Sequence, residues 1–176
     1  MWIFFLCLQI IKTEDKFKMS KERVYGLSAI ISGLILFLPM FFAAYAIEGG
    51  GSESFFIIIS NFTRTGTPAF YIVSALFTIF TIIAAVSLIV IGFLKLVGIK
   101  NKILFKVFKW TIYVTGALAV AAGVSAILLA VTYSEVDVYP FNIGVGAVLL
   151  TIVGIAILFQ QLIIRKILRN RKEKSA

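Results

Sequence analysis

The sequence predicts an all-α membrane protein, a bundle of four transmembrane helices with both chain ends in the cytoplasm. Apolar residues make up 61% of the 176 residues, and the mean hydropathy is +1.06, far outside the range of soluble domains. Sixteen of the seventeen Lys and Arg residues lie on one side of four long apolar runs. Loops rich in Lys and Arg stay in the cytoplasm, so this asymmetry predicts a multi-pass protein of the cell membrane.

Each apolar run is long enough to cross a hydrocarbon core of about 30 Å at about 1.5 Å per residue. The predicted spans are 24–47, 69–94, 110–133 and 143–164. They form one transmembrane domain over 24–164, preceded by a cytoplasmic segment, 1–23, and followed by a basic tail, 165–176. Within the first segment, residues 1–18 have two readings. In one, they come from an upstream start codon, with Met19 beginning the natural chain. In the other, the apolar residues 1–11 anchor at the surface of the inner leaflet through Trp2, Phe4 and Phe5.

Small residues recur four positions apart in two of the spans, and this spacing lets helix backbones approach closely. The predicted helix-packing positions are Ser28, Ala29, Ser32 and Gly33 in span one, and Ala119, Ala122, Gly123 and Ala126 in span three. Because span three carries so little side-chain bulk, we expect it at the centre of the bundle. Pro39 is expected to bend the outer half of span one. In span two, we expect Ile89 to face lipid.

The two outer loops each contain residues typical of short strands. Residues 55–59 are aromatic and β-branched, so they are either a strand or a shallow membrane-surface segment. Residues 134–141 alternate charged and apolar side chains, as a strand does. These two segments could pair as a small two-stranded cap on the outer face.

Lysines dominate the connection between spans two and three. On a helical wheel Lys95, Lys102, Lys106 and Lys109 share one face, which indicates a membrane-surface basic stripe that binds anionic headgroups of the inner leaflet. Two readings of 95–110 stay open: an interfacial helix, or an early start of span three.

The residues that are absent limit the chemistry of the chain. It has no histidine, and its one cysteine, Cys7, cannot form an intramolecular disulfide. No acidic or basic side chain lies near the middle of a predicted span, where proton and ion pathways place them. The outer acids Glu48, Glu53, Glu135 and Asp137 are weak candidates for a divalent cation because they lack the spacing of a dedicated site. We therefore expect no catalytic residues, no metal and no cofactor.

Three function classes fit this sequence. The first is a non-catalytic structural or accessory subunit that packs against another membrane protein or a second copy of itself. The second is a transporter or channel for a neutral or lipidic solute. The third is an enzyme acting at the outer headgroup level through its carboxylates. The positive charge follows the topology of the chain, so nucleic acid is not an expected partner.

Overall fold

The computed structural model describes residues 21–47, 51–61, 63, 69–97, 99, 102–134 and 141–174. They form five helices: α1 (Lys21–Phe41), α2 (Phe55–Asn61), α3 (Ala69–Leu96), α4 (Lys102–Ser134) and α5 (Val145–Lys174). Three short strands accompany them: β1 (Ala43–Ile47), β2 (Ser52–Ser54) and β3 (Phe141–Ile143).

The four long helices form a ring in the order α1, α3, α4, α5, and α5 packs back on α1. Helices α1 and α3 run antiparallel, since Gly26 lies against Gly92 and Gly33 lies against Ala85. Helices α4 and α5 do the same, since Gly116 lies against Gly154 and Gly123 lies against Ala147. The three strands gather at one end of the bundle, which we call the sheet end. Lys95 and the start of α4 lie at the other end, which we call the basic end.

Three of these helices are long and apolar enough to cross a membrane. The qualifying segments are Arg23–Phe41, Tyr71–Leu96 and Lys106–Thr132, with mean hydropathies of 2.0, 2.7 and 2.3. In α5 the described apolar stretch, Val145–Gln160, is shorter. Large apolar side chains also cover the outward faces, as in Phe80 of α3 and Phe159 of α5, which are 52% and 55% exposed. These features fit a membrane-embedded protein.

The sequence predicts one continuous helical span over 24–47. In the structure, this apolar run is a helix followed by a strand. Helix α1 ends at Phe41, two residues after Pro39, and the chain continues as β1. Pro39 has no backbone N–H to donate to the Ile35 carbonyl four residues earlier, so the last turn of the helix is weakened and an end is favoured here. The expected bend in the outer half is therefore a helix end.

The predicted two-stranded cap is wrong in its elements, although a small sheet is present. Strand β1 is central and pairs antiparallel with β2 on one side and β3 on the other. Residues 55–59 lie in α2, because Phe55 and Ile58 share a helical face and are both fully buried. Most of the second predicted strand, 135–140, lies outside the described residues.

The structure also decides between the two readings of 95–110. Helix α4 begins at Lys102 and runs without interruption to Ser134, so span three starts early. A separate interfacial helix over 95–110 is excluded, since α3 continues to Leu96 and α4 starts six residues later. Helix α4 is also not central: it packs on α3 and α5, as each long helix of the described bundle packs on two others.

Two pairs of helices approach so closely that only glycine fits at their contacts. A Cβ atom added to Gly26 of α1 would lie 2.7 Å from the Gly92 carbonyl oxygen of α3. A Cβ atom on Gly154 of α5 would lie 2.9 Å from the Gly116 carbonyl oxygen of α4. We call these contacts the α1–α3 seam and the α4–α5 seam. Ile89 belongs to the first seam, since its Cγ1 atom would lie 2.5 Å from a Cβ on Gly33, so it does not simply face lipid.

Replacing Gly123 with leucine should open the α4–α5 seam. An added Cβ would lie 2.8 Å from the Ala147 carbonyl oxygen and the Thr151 amide nitrogen, and backbone atoms cannot rotate away. We expect Gly123→Leu to lower the free energy of unfolding by about 1–3 kcal/mol. A fall in melting temperature in detergent would report this loss.

The matched control is Ala117→Leu, which adds the same side chain on the exposed face of the same helix. This variant should melt close to the parent protein. Equal melting temperatures for Gly123→Leu and the parent would show that the seam tolerates separation.

Candidate functional site

The predicted packing residues of α1 serve two different neighbours. Ala29 and Gly33 face α3, where the Ala29 Cβ atom would lie 3.2 Å from a Cβ on Gly92. Ser28 and Ser32 face α5, where both contact Gln160. The two small-residue pairs of the sequence therefore mark two adjacent faces of one helix.

The predicted packing residues of α4 are all buried. Ala119, Ala122 and Ala126 are fully inaccessible, and Gly123 lies against Ala147 and Thr151 of α5. The seam glycines Gly26 and Gly116 belong to the small residues of spans one and three but are not among the predicted packing positions, and neither are Gly92 and Gly154. The available signal was a stripe of small residues on α5, since Ala147, Thr151 and Gly154 follow at helical spacing.

A buried glutamine joins α5 to α1. The Ser32 hydroxyl donates to Gln160 Oε1 at 2.9 Å, and Gln160 Nε2 donates to the Ser28 carbonyl at 3.3 Å. The same hydroxyl lies 2.8 Å from the Ser28 carbonyl, so its single proton has two acceptors within reach. The Gln160 side chain is only 5% exposed. This cluster is a hydrogen-bonded link between two helices, which sequence spacing alone did not indicate.

A buried lysine joins three helices at the basic end. Lys95 is 4% exposed, and its Nζ atom lies 4.0 Å from the ring centroid of Phe108 and 5.7 Å from that of Tyr25. The two rings meet edge to face at 6.2 Å. A desolvated cation over aromatic faces is stabilised by about 2 kcal/mol. Lys95 therefore holds α1, α3 and α4 together and does not lie on the predicted surface stripe.

The other lysines of that stripe lie on α4. Lys106 is exposed and Lys109 is half-buried. The backbone of Lys102 begins the helix, and its side chain lies outside the described part of the structure.

At the sheet end one predicted acid is already engaged. Glu53 Oε2 accepts hydrogen bonds from the phenol of Tyr45 at 2.6 Å and from that of Tyr71 at 2.8 Å. Burial, followed by the hydrogen bond to Glu53 and its charge, raises the pKa of Tyr45 far above its ordinary value. A tyrosine that stays protonated is a permanent donor, so this cluster ties β1 and β2 to α3 at any physiological pH.

The remaining predicted acids, Glu48, Glu135 and Asp137, lie outside the described residues. Within the described part of the chain no group of three acidic, histidine or cysteine side chains comes together as a metal site.

Most hydroxyl groups inside the helices bond to a carbonyl of their own helix. Thr78 donates to Ser74 and Thr81 donates to Phe77, each four residues back. The Thr115 hydroxyl has two acceptors within reach, the Thr111 carbonyl of its own helix at 2.7 Å and the Ala84 carbonyl of α3 at 3.3 Å. The buried Ser74 hydroxyl finds no hydrogen-bond partner among the described residues.

An open groove of about 480 Å³ runs along the outer surface between α3 and α4. Helix α3 contributes two small residues, and α4 contributes residues from three successive turns. The lining residues are Ala84, Ser87, Lys106, Val107, Trp110, Thr111 and Val114.

Comparison of this chain with protein families, curated proteins and solved structures finds no match.

Changes at Gln160 should separate the contribution of its shape from that of its hydrogen bonds. Gln160→Leu should cost less than about 1 kcal/mol, because the Ser32 proton can return to the Ser28 carbonyl and no buried donor is left unpaired. Gln160→Glu should lower the melting temperature much more, since a buried carboxylate is desolvated and cannot donate to Ser28. Thermal unfolding of both variants in the same detergent compares them directly. A leucine variant as unstable as the glutamate variant would show that the link itself is indispensable.

Proposed function

We propose that this chain is a non-catalytic accessory subunit of a membrane protein assembly, built from four transmembrane helices. In this proposal α5 is the fourth span, both chain ends lie in the cytoplasm of a cell, and the sheet end faces outward. The positive charge of the basic end supports this orientation, because Lys and Arg are retained on the cytoplasmic side.

One observation carries the non-catalytic assignment. Among the described residues, three polar side chains that could support chemistry are engaged in joining secondary-structure elements. Glu53 is bonded to two tyrosines, Gln160 is bonded to two serines of α1, and Lys95 lies against two aromatic rings. Using any of them on a substrate would break a contact that holds the bundle.

The outward faces support an accessory role. Side chains such as Ile83, Ile152 and Phe159 are more than half exposed, and they present apolar surface along α3 and α5. In a bilayer, helices associate through van der Waals fit and hydrogen bonds, so such faces contact lipid or another protein.

Orientation can be tested by cysteine labelling in a Cys7→Ser background. A cysteine at Ser52, in the strand β2, should react with an impermeant thiol reagent added to intact cells. A cysteine at Ser175 should react only after the cells are lysed. Labelling of Ser175 in intact cells would reverse the proposed orientation.

The accessory role predicts a defined partner. A photo-crosslinking amino acid at Phe80 or Phe159 should give an adduct of one discrete mass, from a second protein or a second copy of this chain. The same partner should co-purify in a fixed ratio in mild detergent. A monodisperse single chain whose melting temperature rises with a neutral or lipidic solute would instead support transport.

A further inference from the structure

We propose that the groove between α3 and α4 binds one anionic phospholipid, with an acyl chain along the groove and the phosphate at Lys106. The proposed orientation, with the basic end in the cytoplasm, would place this lipid in the inner leaflet. Only this choice of leaflet rests on the proposed function. The binding chemistry itself follows from the lining residues.

The groove has the shape of a site for one acyl chain. Lys106, Trp110 and Val114 follow each other at four-residue spacing and so lie along one face of α4. From Lys106 to Val114 the helix rises about 12 Å, so with Lys106 at headgroup depth the Val114 end of the groove reaches the acyl-chain region. Opposite them, the small side chains of Ala84 and Ser87 form the floor.

The lining of the groove is apolar to a ligand even where it contains hydroxyl groups. Ser87 donates its proton to the Ile83 carbonyl at 2.8 Å, and Thr111 donates to the Val107 carbonyl at 2.9 Å. Both hydroxyl protons are used within their own helix, so these groups can only accept hydrogen bonds from a ligand. A polar solute therefore gains few hydrogen bonds in the groove. Hydrocarbon fits this surface better than a sugar or an amino acid does.

The charge at one end of the groove selects the headgroup. Lys106 is exposed, and it forms no ion pair within the described part of the chain. Trp110, one turn above, is 63% exposed, and tryptophan favours the depth of the lipid headgroups. A lysine near the membrane surface raises the affinity for an anionic lipid about fivefold over that for a zwitterionic one. A phosphatidylglycerol or phosphatidylserine headgroup is therefore preferred over a zwitterionic one.

Trp110 provides the reporter for a test. The chain has two tryptophans, so a Trp2→Phe background leaves Trp110 as the only one. The full chain is reconstituted into vesicles that contain a low mole fraction of either phosphatidylglycerol or phosphatidylcholine, with identical brominated acyl chains. Bromine quenches tryptophan fluorescence on contact. We expect brominated phosphatidylglycerol to quench Trp110 more strongly than brominated phosphatidylcholine does.

Two pairs of variants locate the contact. Lys106→Gln should reduce this preference about fivefold, whereas Lys109→Gln, which removes a lysine outside the groove, should retain it. Ser87→Leu should fill the floor and weaken quenching by both lipids, whereas Ser87→Ala should not. Lys106 is exposed, so its variant tests the proposal even if Ser87→Leu fails to fold.

Three results would overturn the proposal. Equal quenching by the two lipids would mean that only bulk lipid touches the groove. A preference that survives Lys106→Gln would come from the general charge of the basic end. Absence of quenching by both lipids would mean that protein covers the groove. Because both leaflets contain the brominated lipid, none of these results depends on orientation, which the cysteine labelling tests separately.

Discussion

The close approach of backbones at two seams is the constraint on which the rest of the structure depends. In an apolar surrounding no hydrophobic force drives helices together, so contact area at short range has to do so. Gly26 and Gly92 bring α1 against α3, and Gly116 and Gly154 bring α4 against α5. Glycines thus set the approach within two helix pairs, α1 with α3 and α4 with α5, and α3 also packs on α4 almost as extensively. What remains is how the pairs are joined.

Polar contacts join the two pairs where glycine does not. The Gln160 amide links α5 to Ser28 and Ser32 of α1. At the α3–α4 contact, the Thr115 hydroxyl has the Ala84 carbonyl at 3.3 Å as a second acceptor beside the Thr111 carbonyl of its own helix. Lys95 adds a third link, through Phe108, at the basic end. Such contacts have direction as well as strength, so they fix the register between two pairs whose apolar faces could otherwise slide. This placement explains why Ser32, Gln160 and Lys95 lie buried at helix interfaces.

The sequence predicts the helical class well and the connections poorly, for physical reasons. Long apolar runs and small residues at four-residue spacing are local patterns, and they indicate α3, α4 and the buried faces at Ala29 and Gly123. The strand β1 is as apolar as the helix before it, so only its pairing with two distant strands distinguishes it. The sequence prediction puts Lys95 on the surface stripe because helical spacing gives only the direction of a side chain. It does not show that the rings of Phe108 and Tyr25 lie in that direction. Gln160 is missed because a single glutamine gives no periodic signal.

The same constraint that builds the seams also produces the groove. The described glycines of α3 and α4 face outward from their shared interface, since Gly92 contacts α1 and both Gly116 and Gly123 contact α5. The contact between α3 and α4 consequently has no glycine at which the backbones can close together. Large side chains such as Trp110 then stand beside small ones such as Ser87, and an open channel is left along the surface. In a bilayer such a space would be filled by an acyl chain, so the packing scheme itself accounts for the lipid position that we propose beside Lys106.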